Sequence, residues 1–267
     1  FKVVTMINID RLNKNQKDAI NHIDGPCMVL AGPGSGKTRV ITYRIANMVV
    51  NHNIRPTSIL AISFTKASST EMKNRAISLS QDPRINKVTY GTFHSVFFRI
   101  LRHFEKYNLD SILDEKSKRL AIKGILKSLN VENGEDDEVV GQLINEISFV
   151  KNELMDKGDF NSEVVSKDEF IKAYNLYEEH KHQIKKIDFD DMLLRTYYLL
   201  KNNSKALETV RSVYRYILVD EFQDINKVQF EVLKLISNPQ NNIFVVGDED
   251  QSIYGFRGAR PDFLLEF

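Results

Sequence analysis

Two short stretches of this sequence hold residue types spaced for chemistry on phosphates. In "MVLAGPGSGKTRV" (28–40) an apolar run ends in a turn of small residues, and Lys-Thr and a segment with helical spacing follow. Gly34 and Gly36 permit backbone conformations that a Cβ hinders, so the turn Ala31, Gly32, Pro33, Gly34, Ser35 and Gly36 can aim its backbone N–H groups, which Pro33 alone lacks, at phosphate oxygens. A helix starting near Lys37 adds its positive end. Lys37 then reaches the β and γ phosphates of a nucleotide, the Thr38 hydroxyl ligates Mg²⁺, and Arg39 closes the nucleotide-holding stretch. The pattern departs from a strict G-x-x-x-x-G-K-[ST] at one position, Ala31. The second stretch, "YILVDE" (216–221), places Asp220 at the end of an apolar run, where a carboxylate can hold the metal or its waters. Glu221 beside it can act as general base for an attacking water. An isolated Asp-Glu pair is usually a solvated turn; with the upstream glycine turn it points to Mg²⁺-dependent hydrolysis of a nucleoside triphosphate such as ATP.

These groups need strands to present them. Apolar runs at 27–32, 58–65, 216–221 and 242–250 read as buried strands, and "KVTYGTFHS" (87–95) as a fifth. Near-continuous apolar strands imply a sheet covered on both faces. Val40, Ile41, Ile45, Met48 and Val49 recur at helical spacing after the first run, giving a strand, turn, helix unit. The expected class is therefore α/β, a parallel sheet with ligands at the carboxyl ends of its strands. Between about Phe104 and Lys186 there are charged segments with helical spacing, such as Leu120, Ile122, Ile125, Leu126 and Leu129, around an acidic patch "VENGEDDEVV". Strand-like runs resume only at Tyr216, so an all-helical subdomain (104–186) is expected within a discontinuous core (1–103 and 187–267); its mixed charges fit contact with duplex DNA and solvated helical faces equally.

Composition narrows the partners. In 267 residues, 42% hydrophobic and 27% charged, no apolar run approaches the roughly 20 residues of a membrane span, and no membrane partner is expected. Basic and acidic side chains number 37 and 36, a net +1, so any nucleic-acid binding must come from a local surface. The single cysteine, Cys27, reads as a small buried thiol in a reducing, cytoplasmic compartment. The opening "FKVVTMINID" shows no secretory pattern, and its first residue suggests a tag remnant or trimming.

Six motifs then carry a resemblance. "LNKNQKDAI" (12–20), "ILAISFTKASSTEMKNR" (59–75), "YGTFHS" (90–95), "IDFDDML" (187–193), "DEFQDINKVQ" (220–229) and "VVGDEDQSIYGFRGA" (245–259) resemble, in order and spacing, the signatures of superfamily 1 DNA helicases of the UvrD/Rep/PcrA type. The likeness covers roughly 8–103 and 187–262, and the region between matches by position more than by sequence. It implies a P-loop NTPase core with a RecA-like sheet, working as the ATP-binding portion of a 3′ to 5′ helicase or translocase in DNA repair or replication. It implies that Gln16 reads the adenine edge, although alone it is a surface glutamine, and that Gln251 contacts the γ-phosphate or the attacking water. Phe64, Tyr254 and Phe256 would stack on bases of single-stranded DNA, Arg257 and His94 would contact DNA or couple the sites, and Thr65 and Thr92 would bond the phosphate backbone. Each of these aromatics is equally at home in a core. Gln251, Tyr254 and Phe256 lie within six residues, so one loop could touch nucleotide and base. The family's motif has asparagine and lysine after "FT", where this chain has Lys66 and Ala67.

The family works with two RecA-like domains that close on ATP, the second supplying arginines. No second phosphate turn occurs in these residues, so the expectation is an N-terminal motor domain that meets single-stranded DNA and single-strand/duplex junctions, binds Mg-ATP weakly and turns it over poorly by itself. Alternatives are the helicase portion of a RecB/AddA-type helicase-nuclease, a nucleotide-gated DNA-binding module without unwinding, and an unrelated P-loop ATPase.

Overall fold

The structure is a computed structural model that describes residues 6–32 and 36–248. Its elements run α1 (Lys14–Asn21), β1 (Cys27–Leu30), α2 (Lys37–Val50), β2 (Ile59–Ile62), α3 (Lys66–Ser80), β3 (Thr89–Gly91), α4 (Phe93–Phe104), α5 (Glu115–Ser128), α6 (Asp137–Asn152), α7 (Lys167–Gln183), α8 (Phe189–Asn202), α9 (Ser204–Val213), β4 (Tyr216–Val219), α10 (Lys227–Ser237) and β5 (Ile243–Gly247). The strands form one parallel sheet in the order β1-β5-β4-β2-β3. All five expected runs contain a strand, and the α/β class holds.

Alternation along the strands explains the two layers. Ile62, Ile217, Val219 and Val245 pack with α4, α8, α9 and α10 on one face. Ile59, Ala61, Leu218 and Phe244 pack with α2 and α3 on the other, and every apolar position named above for α2 is buried there. β1 is an edge strand, and Leu30 is half exposed. Its place at the edge also corrects the expectation for Cys27, which is only partly buried, its thiol pushed up by desolvation more than Arg44 lowers it.

Residues 115–183 hold α5, α6 and α7 around a separate hydrophobic cluster built on Ile122, Leu126, Leu143, Ile147, Phe170 and Tyr177. Leu120, expected on the apolar face of α5, is instead 62% exposed. The acidic patch begins a helix: Asp136 caps α6, and Asp137 and Glu138 occupy its first turn, where carboxylates oppose the helix dipole. The chain entering this region meets the chain leaving it, with the Leu113 and Ile187 amides donating to the Ile187 and Ser111 carbonyls at 2.8 Å.

Three lysines of this region lie on no solvated face. Lys118, Lys151 and Lys181, from α5, α6 and α7, are 2–3% exposed and converge on Asp188, Asp190 and Asp191 at the start of α8. Lys118 lies 3.0 Å from Asp190, and Lys151 lies 2.9 Å from Asp191 and 2.6 Å from Glu178. Ser148 and Asn152 also donate to Asp190, and the Tyr177 hydroxyl donates to Asp188. Burial pushes Asp188 up, but Lys151, Lys118 and Lys181 outweigh it and hold the carboxyl well below the usual range. Charges this deep survive only as a paired set, because removing one partner strands the other in low dielectric. Replacing Lys151 with methionine should therefore cost about 3–5 kcal/mol of unfolding free energy in urea titrations. A carboxylate with a depressed folded pKa stabilises above its unfolded value and loses that contribution on acidification, so the thermal midpoint should drop progressively below about pH 5.

Candidate nucleotide and nucleic-acid site

The carboxyl ends of the strands gather the expected nucleotide residues. β1 passes into the glycine turn, and the Ala31 amide continues the pairing by donating to the Gly247 carbonyl at 3.1 Å. Gly32 is exposed. Gly36 caps α2 in the left-handed region at φ 85°, which a side chain resists. Lys37 and Thr38 then open the helix, with its unpaired amides and positive end at this edge. Arg39 faces solvent and lies over the Tyr43 ring at 5.4 Å.

Gln16 reaches the same place from α1. Its amide nitrogen is 3.7 Å from where a Gly36 Cβ would stand, while its carbonyl oxygen closes the capping box by accepting from the Asn13 amide at 3.2 Å. α1 is held to α2 by Arg44, which donates to the Ala19 and Ile23 carbonyls at 2.8 and 3.1 Å, and by Asn47, which donates to the Ile20 carbonyl. Burial lowers the Arg44 guanidinium to about 10, and it packs 4.3 Å from the centre of the Phe244 ring.

Strand order determines what Lys37 meets. β5 lies between β1 and β4, so the residue leaving β5, Asp248, falls between the glycine turn and the Asp-Glu pair. Lys37 Nζ lies 3.2 Å from Asp248 Oδ2. Asp220 extends β4, its amide donating to the Ile62 carbonyl at 2.9 Å, and is 3% exposed. Burial, then the neighbouring Glu221, push its carboxyl up to about 6 against the opposing pull of Lys37. Glu221 takes a left-handed backbone, φ 53°, before a one-turn helix at Phe222–Asp224. Asp224 is likewise raised to about 6 by burial and Glu221. The sequence reading passed over Asp248 and Gln223; the Gln223 amide accepts from the Asp248 amide at 3.0 Å and donates to Glu221 Oε2 at 2.7 Å. Gln223 stands two residues after "DE" and Asp248 directly after β5, and those positions were the available signal.

A second feature adjoins this edge. A cavity of about 430 Å³ is lined by Phe64, His94, Phe189, Lys118, Asp190 and Asp224, among others. Phe64 immediately precedes the Thr65 cap of α3, His94 lies in the first turn of α4, and Phe189 begins α8, so three helix amino termini meet here. His94 and Phe189 stand edge to face, 5.7 Å between ring centres, and Phe189 is 41% exposed. Phe189 lies in "IDFDDML", a motif that by itself assigns its ring no role. The Thr65 and Thr92 hydroxyls cap α3 and α4, accepting from Ser68 and Ser95 amides at 3.0 and 3.3 Å. Gly91 is needed beside that second cap, since a Cβ there would stand 2.6 Å from Ser95 Oγ. A larger cavity, about 540 Å³, lies by Ser58 and Tyr216 at the amino ends of β2 and β4, the edge away from the glycine turn. Pro33, Gly34, Ser35, Gln251, Tyr254, Phe256 and Arg257 lie outside the described residues.

Gly36→Ala should destabilise the chain by about 1–2 kcal/mol in urea titrations, the cost of a Cβ in a left-handed conformation. An unchanged midpoint would show that the turn relaxes to a different conformation.

Comparison with known proteins agrees with the geometry. Residues 12–267 match the model of the UvrD/REP helicase N-terminal domain. The chain is 39% identical over 266 residues to a putative ATP-dependent DNA helicase, YjcD, of Bacillus subtilis (strain 168), covering 96% of this chain and 34% of that protein. It is 37% identical to a probable DNA helicase II homolog of Mycoplasma capricolum subsp. capricolum, covering 97% and 37%, and 36% identical to the ATP-dependent DNA helicase PcrA of Staphylococcus epidermidis, covering 97% and 36%. The chain thus spans about a third of the length of these relatives. With the glycine turn, the Asp-Glu pair and the parallel sheet in the expected order, the chain belongs to the UvrD/REP helicase family, of which it carries the N-terminal domain.

Proposed function

We propose that this chain is the ATP-binding motor domain of a 3′ to 5′ DNA helicase or translocase, coupling Mg-ATP hydrolysis to movement on single-stranded DNA. The carrying observation is the adjacency of two features on one sheet edge: the Lys37–Asp248 pair beside the Asp220-Glu221 strand end, and the aromatic cavity whose lining includes Asp224 of the same "DEFQD" turn. In this reading the turn Ala31 to Gly36 and the start of α2 bind the phosphates, Lys37 leaves Asp248 for the terminal phosphates, and Gln16 meets the adenine. Thr38 and Asp220 would hold Mg²⁺; the raised Asp220 carboxyl is the kind of buried donor that a cation relieves. The chemistry that Mg²⁺ would supply there is neutralisation of charge developing on the phosphates. Glu221 accepts the proton of the attacking water at its carboxylate. Gln251, beyond the described residues, senses the terminal phosphate in the same scheme.

Phe64, His94 and Phe189 offer ring faces to unstacked bases, and the amino termini of α3 and α4 offer positive ends to the backbone. By the family resemblance Tyr254, Phe256 and Arg257 also contact single-stranded DNA, and Thr65 and Thr92 its backbone. Residues 1–103 and 187–267 act as the motor core and 104–186 as a helical insertion, supported by the separate core of α5–α7. A second RecA-like domain completes the ATP cleft and supplies arginines worth on the order of 10³–10⁵ in rate. The single-stranded arm of a junction, reached in a cytoplasmic setting, is the proposed substrate. Among the described residues no helix is long and apolar enough to cross a membrane.

In the full-length protein, Lys37→Ala should lower DNA-stimulated hydrolysis by at least about 10²-fold, as loss of a transition-state cation does. Phe64→Ala should weaken single-stranded DNA binding by about 1–3 kcal/mol, the range for one stacked base, with nucleotide affinity unchanged. Equal loss of both affinities in Phe64→Ala would assign the ring to the core instead.

A further inference from the structure

Glu221 is followed by a single helical turn whose three side chains go to three places. Phe222 enters the hydrophobic core, Asp224 lines the aromatic cavity, and Gln223 is buried, 1% exposed, under the nucleotide edge. Both ends of the Gln223 amide are engaged. Its nitrogen donates to Glu221 Oε2 at 2.7 Å, and its oxygen accepts from the Asp248 backbone amide at 3.0 Å. The partners fix the amide's orientation, because a backbone N–H can only donate and a carboxylate can only accept. A buried amide bridging two such groups is matched by few other side chains: glutamate offers no donor when ionised, and lysine no acceptor.

The bridge spans the two strand ends that matter most. Glu221 leaves β4, and Asp248 leaves β5 and pairs with Lys37. A glutamate side chain has three rotatable bonds, and a base that wanders by about 1 Å can cost on the order of 10² in rate. We propose that Gln223 is a positioning residue for hydrolysis, holding the Glu221 carboxylate at a fixed place relative to the end of β5 so that its remaining oxygen, Oε1, meets the attacking water. The inference rests on Glu221 being the general base.

The test uses the full-length protein, Mg-ATP and saturating single-stranded DNA. Gln223→Met keeps the length and removes both hydrogen bonds; Gln223→Asn keeps the amide but is one methylene too short to hold both partners. Each should lower kcat by about 10²-fold, while the KM for ATP and the Kd for single-stranded DNA stay within about twofold. In a Glu221→Gln background, Gln223→Met should add less than about a twofold further loss, since there is no base left to place. A merely structural glutamine would multiply its loss into that background and raise KM and Kd together, which would overturn the proposal, as would wild-type kcat in either single variant. If circular dichroism shows that Gln223→Met does not fold, the uncharged Gln223→Asn decides. Wild-type hydrolysis by Glu221→Gln alone would instead remove the general-base reading, a separate failure visible before Gln223 is touched.

Discussion

Crowding of carboxylates at the carboxyl edge of the sheet is the constraint on which the site depends. Asp220, Glu221 and Asp224 follow one another at the end of β4, beside Asp248 at the end of β5, and the Lys37 ammonium lies 3.2 Å from Asp248. Burial and the Glu221 charge push both Asp220 and Asp224 up to about 6, so the cluster holds more negative charge than its cation offsets. Such a site favours whatever brings positive charge. In the proposed reading a phosphate that takes Lys37 away from Asp248 leaves these carboxylates without its charge, a physical reason for nucleotide and Mg²⁺ to enter together. The fold creates the crowding by placing β5 between β1 and β4, and Gly36 makes the sharp turn that brings Lys37 into it.

A second set of charges does different work. Lys118, Lys151 and Lys181 leave α5, α6 and α7 and close on Asp188, Asp190 and Asp191 at the start of α8. Phe189 stands between those aspartates in sequence and against His94 in space. The helices of 115–183 therefore bear on the cavity through charge as well as through packing: the same Asp190 that Lys118 pairs with also lines it. Like-charge crowding at the nucleotide edge and close pairing beneath the cavity are opposite solutions, the first reactive and the second rigid.

Most of the core was legible because periodicity reports burial. The five strand runs and the Val40 to Val49 helix follow from apolar spacing, and the glycine turn and Asp-Glu pair follow from the chemistry of phosphates and metals. What was not legible depends on strand order and on distant partners. Nothing local marks Asp248 as the partner of Lys37, 211 residues away, or Gln223 as the bridge between β4 and β5. The lysines of α5–α7 look like solvent-facing charges because spacing cannot show that three aspartates in "DFDD" lie beneath them. Leu120 failed for the converse reason: an apolar residue on a helix need not face inward.

Equilibrium titration of residues 1–267 with Mg-ATP, beside Lys37→Ala and with Mg²⁺ removed by chelation, tests the central claim most directly. The account predicts saturable binding by the wild-type chain that is lost in Lys37→Ala and strongly weakened without Mg²⁺. Absence of binding, or binding indifferent to both Lys37 and Mg²⁺, would contradict the assignment of this edge as the nucleotide site.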